Sequence, residues 1–255
     1  QSGGWTLSWQ GTGTTNADFP NGQSIGAALA ERIQAAGGRA VMSAQGEFTD
    51  KPDVAVVVFG EDPYAEFQGD IPDLRYKPGD DTDLALMQRL SKAGIPVVAV
   101  FISGRPLWVN RELNAANAFV AAWLPGSEGG GVADVLLAAK DGSVAHDFRG
   151  KLSFSWPRRA DQARLNRHHP NYDPLFPLGF GLSYGQRSAW TPLSEDSGVV
   201  GASAGRVWFN RGAASDGFAW QAVAGSATPA ARAVDHLAQE DAREFNFSEA
   251  GAIAL

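Results

Sequence analysis

The run Val54-Ala-Val-Val-Val-Phe59, broken off by Gly60, constrains the fold more than any other stretch. It is short, rich in β-branched residues and apolar at every position. That pattern fits a strand buried on both faces, as in parallel sheets covered by helices. In open sheets of that kind, ligands collect outside the carboxyl ends of the strands. The stretch at that end is Glu61-Asp-Pro-Tyr-Ala-Glu-Phe-Gln-Gly-Asp70. Gly60, Pro63 and Gly69 prevent it from continuing as a helix.

The surrounding chain repeats the rhythm. Ser24 to Ala36 reads as a helix with Ile25, Leu29 and Ile33 on one face, stopped by Gly37-Gly38. Ala40 to Met42 is a short candidate strand. Thr82 can cap a second helix carrying Leu84, Met87 and Leu90, ended by Gly94. Val97 to Ile102 and Ala118 to Trp123 are further candidate strands. Trp108 to Ala116 and Val132 to Ala138 are candidate helices. Strands alternating with helices predict an α/β fold, a mostly parallel sheet flanked by helices with right-handed crossovers. Three loops then share one edge, 60–70, 103–106 and 124–131, with Arg105 and Glu128 as possible neighbours of the acids.

Residues 1–20 form a Gly-, Thr- and Trp-rich lead-in segment, and 21–185 the α/β sandwich domain. Gly150 to Trp156 reads as a last, antiparallel strand, and Asn171 to Tyr184 as an ordered irregular wrap. From 186 to 255 short β-like runs at 199–200, 206–209, 218–223 and 244–247 alternate with Gly, Ser and Asp. They suggest the start of a β-rich accessory domain, part of a β-sandwich.

Composition removes several classes. With 44% apolar residues in 255, a real core is possible. The net charge of −7 without basic clusters argues against nucleic acid and against a membrane surface. With no cysteine, neither disulfides nor thiolate chemistry is available. No cofactor is expected. Gly11-Thr-Gly-Thr-Thr lacks both a preceding strand and the third glycine of a dinucleotide fingerprint. His168-His169 has no spaced carboxylate or thiol to complete a metal site, so none is expected. Gly126-Ser-Glu-Gly-Gly-Gly131 has the glycines of a phosphate cradle, but Glu128 in its middle opposes an anion and favours a tight turn. The first residues, Gln1-Ser-Gly-Gly-Trp5, read as the middle of a longer chain.

What remains is the loop after the first strand. It brings four carboxylates (Glu61, Asp62, Glu66, Asp70) together with Tyr64 and Phe67. Acids beside aromatic faces suit a sugar: a proton donor, acceptors for hydroxyls and a stacking surface. The eight tryptophans point the same way, although core packing accounts for most of them. Glycoside hydrolysis needs one carboxyl to protonate the leaving oxygen and a second to attack or to activate water. An acid that stays protonated near neutrality needs apolar surroundings. Glu66, between Ala65 and Phe67, has the most apolar sequence neighbours, and Glu61 sits directly on the strand end. These residues do not single out the second carboxylate.

Several segments together resemble the second half of family 3 glycoside hydrolases, in the exo-β-glucanase branch. Gly3-Gly-Trp-Thr-Leu-Ser-Trp-Gln-Gly11 is similar to the segment that enters the family's second domain, and Gly60 to Asp70 to its acid/base loop. Ser103-Gly-Arg-Pro106, Ala122-Trp-Leu-Pro-Gly-Ser-Glu-Gly129 and Pro174-Leu-Phe-Pro-Leu-Gly-Phe-Gly-Leu-Ser183 are similar to its later signatures. The resemblance covers about 1–185. It implies a domain that follows a (β/α) barrel, with the active site between the two and a β-glucan or gluco-oligosaccharide as substrate. Glu66 then matches the general acid/base, Trp9 one wall of an aromatic clamp beyond the cleaved bond, and Trp5 a neighbouring substrate-binding position. The family's nucleophile, an aspartate in the barrel, has no counterpart here. The implied protein is a retaining, exo-acting, periplasmic or extracellular β-glucosidase or β-glucanase, of which this chain alone is inactive. The rival readings are a non-catalytic glucan-binding α/β module and a flavodoxin-like small-molecule domain.

Overall fold

A computed structural model describes residues 14–64, 69–188 and 191–199, together with the backbone of six short strands between 209 and 254. Its centre is a three-stranded parallel sheet in the order β1-β2-β3. The strands are β1 (Ala55–Gly60), β2 (Val97–Ile102) and β3 (Ala118–Trp123). β1 and β2 pair in unbroken register from Ala55↔Val97 to Gly60↔Ile102. β2 and β3 pair from Val98↔Ala118, with a bulge before Trp123. The run that reads as a buried strand is therefore β1, shifted by one residue.

Alternation along the strands builds two cores. Val57, Phe59, Ala99 and Phe101 project to one face and pack with Met87 and Leu90 of α2 (Thr82–Lys92) and Leu113 of α3 (Asn110–Ala115). Tyr76, Leu107 and Trp156 complete that side. Val100 projects to the other face, against Ile25, Ala28 and Leu29 of α1 (Ile25–Ala35) and Ala133 of α4 (Gly129–Leu136). Phe101, only 1% exposed, anchors the first core, its ring about 5–6 Å from those of Phe59, Tyr76 and Phe119. Burying a ring of this size contributes about 2–3 kcal/mol, so this cluster gives the sheet much of its rigidity.

The helices start and stop for local reasons. Ser24 caps α1 by accepting the Ala27 N–H at 3.2 Å. Gly37, at φ 85°, provides the left-handed turn that ends it. α2 begins at Thr82, but Asp81 holds the capping position without a side-chain bond to the helix, its carboxylate being taken by Arg111. Instead Asp80 Oδ1 accepts the Thr82 N–H.

Other expectations shift. Residues 40–42 are not a strand: Val41 and Met42 are 64% and 71% exposed, and no neighbour pairs with them among the described residues. α3 starts at Asn110 rather than Trp108, because Trp108 bonds in extended form to Leu74 and Tyr76. α4 starts earlier than expected, at Gly129. The strand expected over 150–156 is reduced to β4 (Trp156–Pro157), antiparallel to β5 (Pro174–Phe176).

Beyond the wrap, residues 191–199 lie along α3. Asn114 reads their backbone as a second peptide would: Nδ2 donates to the Leu193 carbonyl and Oδ1 accepts the Leu193 N–H. Asn110 Nδ2 donates to the carbonyls of Arg158 and Ser194, and the Ala160 N–H donates to the Ser197 carbonyl. The later strands are β6 (Phe209–Asn210), β7 (Ala213–Ala214), β8 (Gln221–Ala224), β9 (Ala227–Pro229), β10 (Phe245–Phe247) and β11 (Ala252–Ala254). They form three antiparallel ladders, β6-β7, β8-β11 and β9-β10, which is what the described residues show of the β-rich unit.

Candidate active site

Because β1, β2 and β3 run parallel, their carboxyl ends deliver Gly60, Ser103 and Trp123 to one edge. The first crossing there is tight. The Glu61 N–H donates to the Ile102 carbonyl at 3.0 Å, and a Cβ on Gly60 would stand 2.0 Å from that oxygen. Only glycine fits at the residue from which the acidic loop departs.

Glu61 is fully engaged. Its Oε1 accepts from Arg105 Nε at 3.0 Å and Nη2 at 2.7 Å, and its Oε2 accepts from Ser103 Oγ at 2.6 Å. Ser103 is buried, and the Glu61 side chain is only 11% exposed. Arg105 Nη1 donates to the Gly69 carbonyl at 2.5 Å, so one guanidinium reaches both ends of the loop. The same group lies over the Tyr64 ring, Cζ 4.0 Å from its centroid. Burial, and then the Glu61 charge, push the Tyr64 phenol upward, so it stays neutral.

From below, Tyr76 Oη lies 2.9 Å from the Gly60 carbonyl and 2.7 Å from Asp83 Oδ2. Lys77 Nζ adds a 3.2 Å bond to the same Asp83 oxygen. Burial and the Asp83 carboxylate raise the Tyr76 phenol far above its ordinary value. It is a fixed hydrogen-bonding post under the strand end.

β3 ends differently. The bulge before Trp123 and its φ of 55° turn the indole onto Phe154 and Trp156, with ring centroids 5.3 and 5.8 Å away. A bulky side chain in the left-handed region is an outlier, and bulges near strand ends re-aim side chains. The glycine-rich stretch that follows docks against the start of α1. The Gln23 N–H donates to the Ser127 carbonyl, the Gly129 N–H to the Gln23 carbonyl, and a Cβ on Gly129 would come 2.4 Å from the Ile25 nitrogen. With its amides used in this way, the stretch is a packing turn, as the glutamate in its middle suggested. Glu128 is exposed there, 3.3 Å from Ser127 Oγ.

Of the four acids, Glu61 is the structural one, while Asp62 and Asp70 are exposed. Glu66, Trp9 and Trp5 lie outside the described residues. Arg105, considered only as a neighbour from sequence, is the hub of the edge. Ser103 and Tyr76 were missed as participants. The Ser103-Gly-Arg-Pro106 signature carried a signal for the first, but nothing local marks Tyr76. His168 and His169 are exposed in a turn, with Arg167 Nε donating to His168 Nε2.

The carboxyl edge of this parallel α/β sheet thus carries an acidic, aromatic loop whose two ends are latched by Arg105. Residues 1–184 match the description "Glycosyl hydrolase family 3 C-terminal domain". The chain belongs to glycoside hydrolase family 3, as that C-terminal domain. It is similar to an exo-1,3/1,4-beta-glucanase from a Pseudoalteromonas species. One structure of that protein is 45% identical, with a TM-score of 0.75, over 98% of this chain and 33% of that one. A mutant structure of it is 56% identical over 77% of this chain and 32% of that one, also at TM-score 0.75. A lysosomal beta glucosidase of Dictyostelium discoideum is 32% identical over 206 residues, 72% of this chain and 24% of its own length. A periplasmic beta-glucosidase of Salmonella typhimurium is 34% identical over 121 residues, 39% of this chain and 15% of its own. This chain thus spans a third or less of these relatives. Among the described residues no helix is long and apolar enough to cross a membrane.

Proposed function

We propose that the chain supplies the general acid/base, Glu66, and part of the substrate-binding surface of a retaining, exo-acting β-glucosidase or β-glucanase. It would work beside a barrel domain that carries the nucleophile and release glucose from chain ends in the periplasm or outside the cell. In this reading 21–185 is the α/β half of the catalytic unit, 1–20 its lead-in, and 186–255 an accessory β-rich region. Trp9 forms one wall beyond the scissile bond, with Trp5 next to it. Half of a double displacement cannot turn over, so the isolated chain should be inactive.

The observation that carries this reading is the engagement of Glu61. Oε1 and Oε2 both serve as acceptors for Arg105 and Ser103, which leaves neither to hand a proton to a leaving group. Among acids with apolar neighbours, Glu66 is then the one to test. In the sequence it stands six residues past the strand end at Gly60.

In the full-length enzyme, Glu66→Gln should cripple hydrolysis of glucosides with poor leaving groups and spare the first step for dinitrophenyl glucosides. Deglycosylation would then limit turnover, and azide, which attacks without base assistance, should accelerate it. Azide rescue in Glu61→Gln but not in Glu66→Gln would reverse the assignment.

A further inference from the structure

We infer that Arg105 is a positioning residue for proton transfer, its guanidinium bridging the two ends of the 61–70 loop; this rests on reading that loop as the acid/base loop. Arg105 follows β2, yet three of its N–H groups serve the loop after β1. Nε and Nη2 go to Glu61 at the start, and Nη1 goes to the Gly69 carbonyl at the end. Between these contacts the guanidinium carbon lies over the Tyr64 ring.

The seat for that ring is built from glycines. A Cβ at Gly69 would come 2.7 Å from Tyr64 Cδ2, and a Cβ at Gly104 would come 3.0 Å from its hydroxyl oxygen. Arg105 is itself fixed, because its N–H donates to Ser103 Oγ at 3.1 Å. With side-chain exposures of 21% for Arg105 and 11% for Glu61, the pair is shielded from salt.

The bridge needs the shape of arginine as well as its charge. A lysine ammonium is a point donor that cannot meet Glu61 and Gly69 together while also covering an aromatic ring. Glu66 follows the clamped Tyr64 by two positions in the sequence. Proton transfer is sensitive to displacements of about 1 Å, whereas binding of the sugar does not depend on that proton.

The test uses Arg105→Lys and Arg105→Ala in the full-length enzyme, beside Glu66→Gln. Arg105→Lys should lower kcat/KM for alkyl glucosides on the order of 100-fold and for dinitrophenyl glucoside less than about 5-fold. Guanidinium ion should restore part of the activity lost in Arg105→Ala, and ammonium should not. In the 255-residue chain, Arg105→Lys should speed hydrogen exchange at Tyr64 and Gly69 while β1 stays protected. Equal losses on both substrates, or none, would overturn the inference if Glu66→Gln still discriminates between them. If Glu66→Gln does not discriminate, the acid/base reading fails and this inference falls with it.

Discussion

Replacing Glu112 with glutamine should stabilise the domain above neutral pH and change little in acid. Glu112 lies in α3, only 6% exposed. Burial drives its carboxyl from 4.5 up to about 7, and the charges of Asp81 and Asp83 add to that; its own backbone N–H and Arg111 oppose it. Tyr76 faces the same group. Because the folded pKa lies above the unfolded one, the native state holds the extra proton. Stability is therefore full below about pH 4.5, falls as pH climbs to about 7, and is level beyond. The gap of about 2.5 pH units corresponds to roughly 3 kcal/mol. Glutamine removes the ionisation but keeps a buried polar group, so a gain of about 1–3 kcal/mol at pH 8 is expected. That should raise Tm by roughly 3–9 °C for a domain of this size. Urea titrations of both proteins at pH 5 and pH 8 measure it. An equal difference at both pH values, or destabilisation at pH 8, would refute the argument that Glu112 is ionised at the expense of stability.

Trp9→Ala in the full-length enzyme should lower kcat/KM on laminari- and cello-oligosaccharides roughly 10–100-fold, the equivalent of losing about 1–3 kcal/mol of aromatic contact. Inhibition by glucose should barely change, and a stable variant with unaltered oligosaccharide kinetics would remove the clamp role. Asn114→Ala deletes the paired bonds to Leu193 and should cost about 1–3 kcal/mol. Trypsin should then cut after exposed Arg187 several-fold faster; an unchanged cleavage rate would argue against the hold of Asn114 on residues 191–199.

The central sheet was legible because β1, β2 and β3 are unbroken apolar runs, although only β2 is largely buried: Val58 of β1 is 43% exposed and Ala118 of β3 is exposed, so burial on both faces holds for the middle strand and not for its neighbours. Residues 40–42, a short apolar run, and 150–156, an alternating one, misled because such runs become strands only when a neighbour offers a continuous ladder. Trp108 looked helical by spacing, but its backbone was claimed by Leu74 and Tyr76 in an extended bridge. At the edge, the acids were plain from composition, and their division of labour was not. Glu61 and Arg105 stand 44 positions apart, so their pairing exists only after β1 and β2 align. Tyr76 and Glu112 carry no local signal either, because what displaces their protonation is burial by other elements.

The asparagines of α3 bear on where this domain can be cut. The family match stops at residue 184, yet Asn110 and Asn114 go on to hold the backbone of Leu193 and Ser194. The Leu193 side chain also packs against the first core. The inherited module and the cooperative unit are therefore different lengths. A chain ended at the family limit would expose apolar surface that the longer one covers. A fusion or domain swap designed at 184 would inherit that scar, whereas one designed after Val199 would keep the bonds that both side-chain amides donate to this stretch.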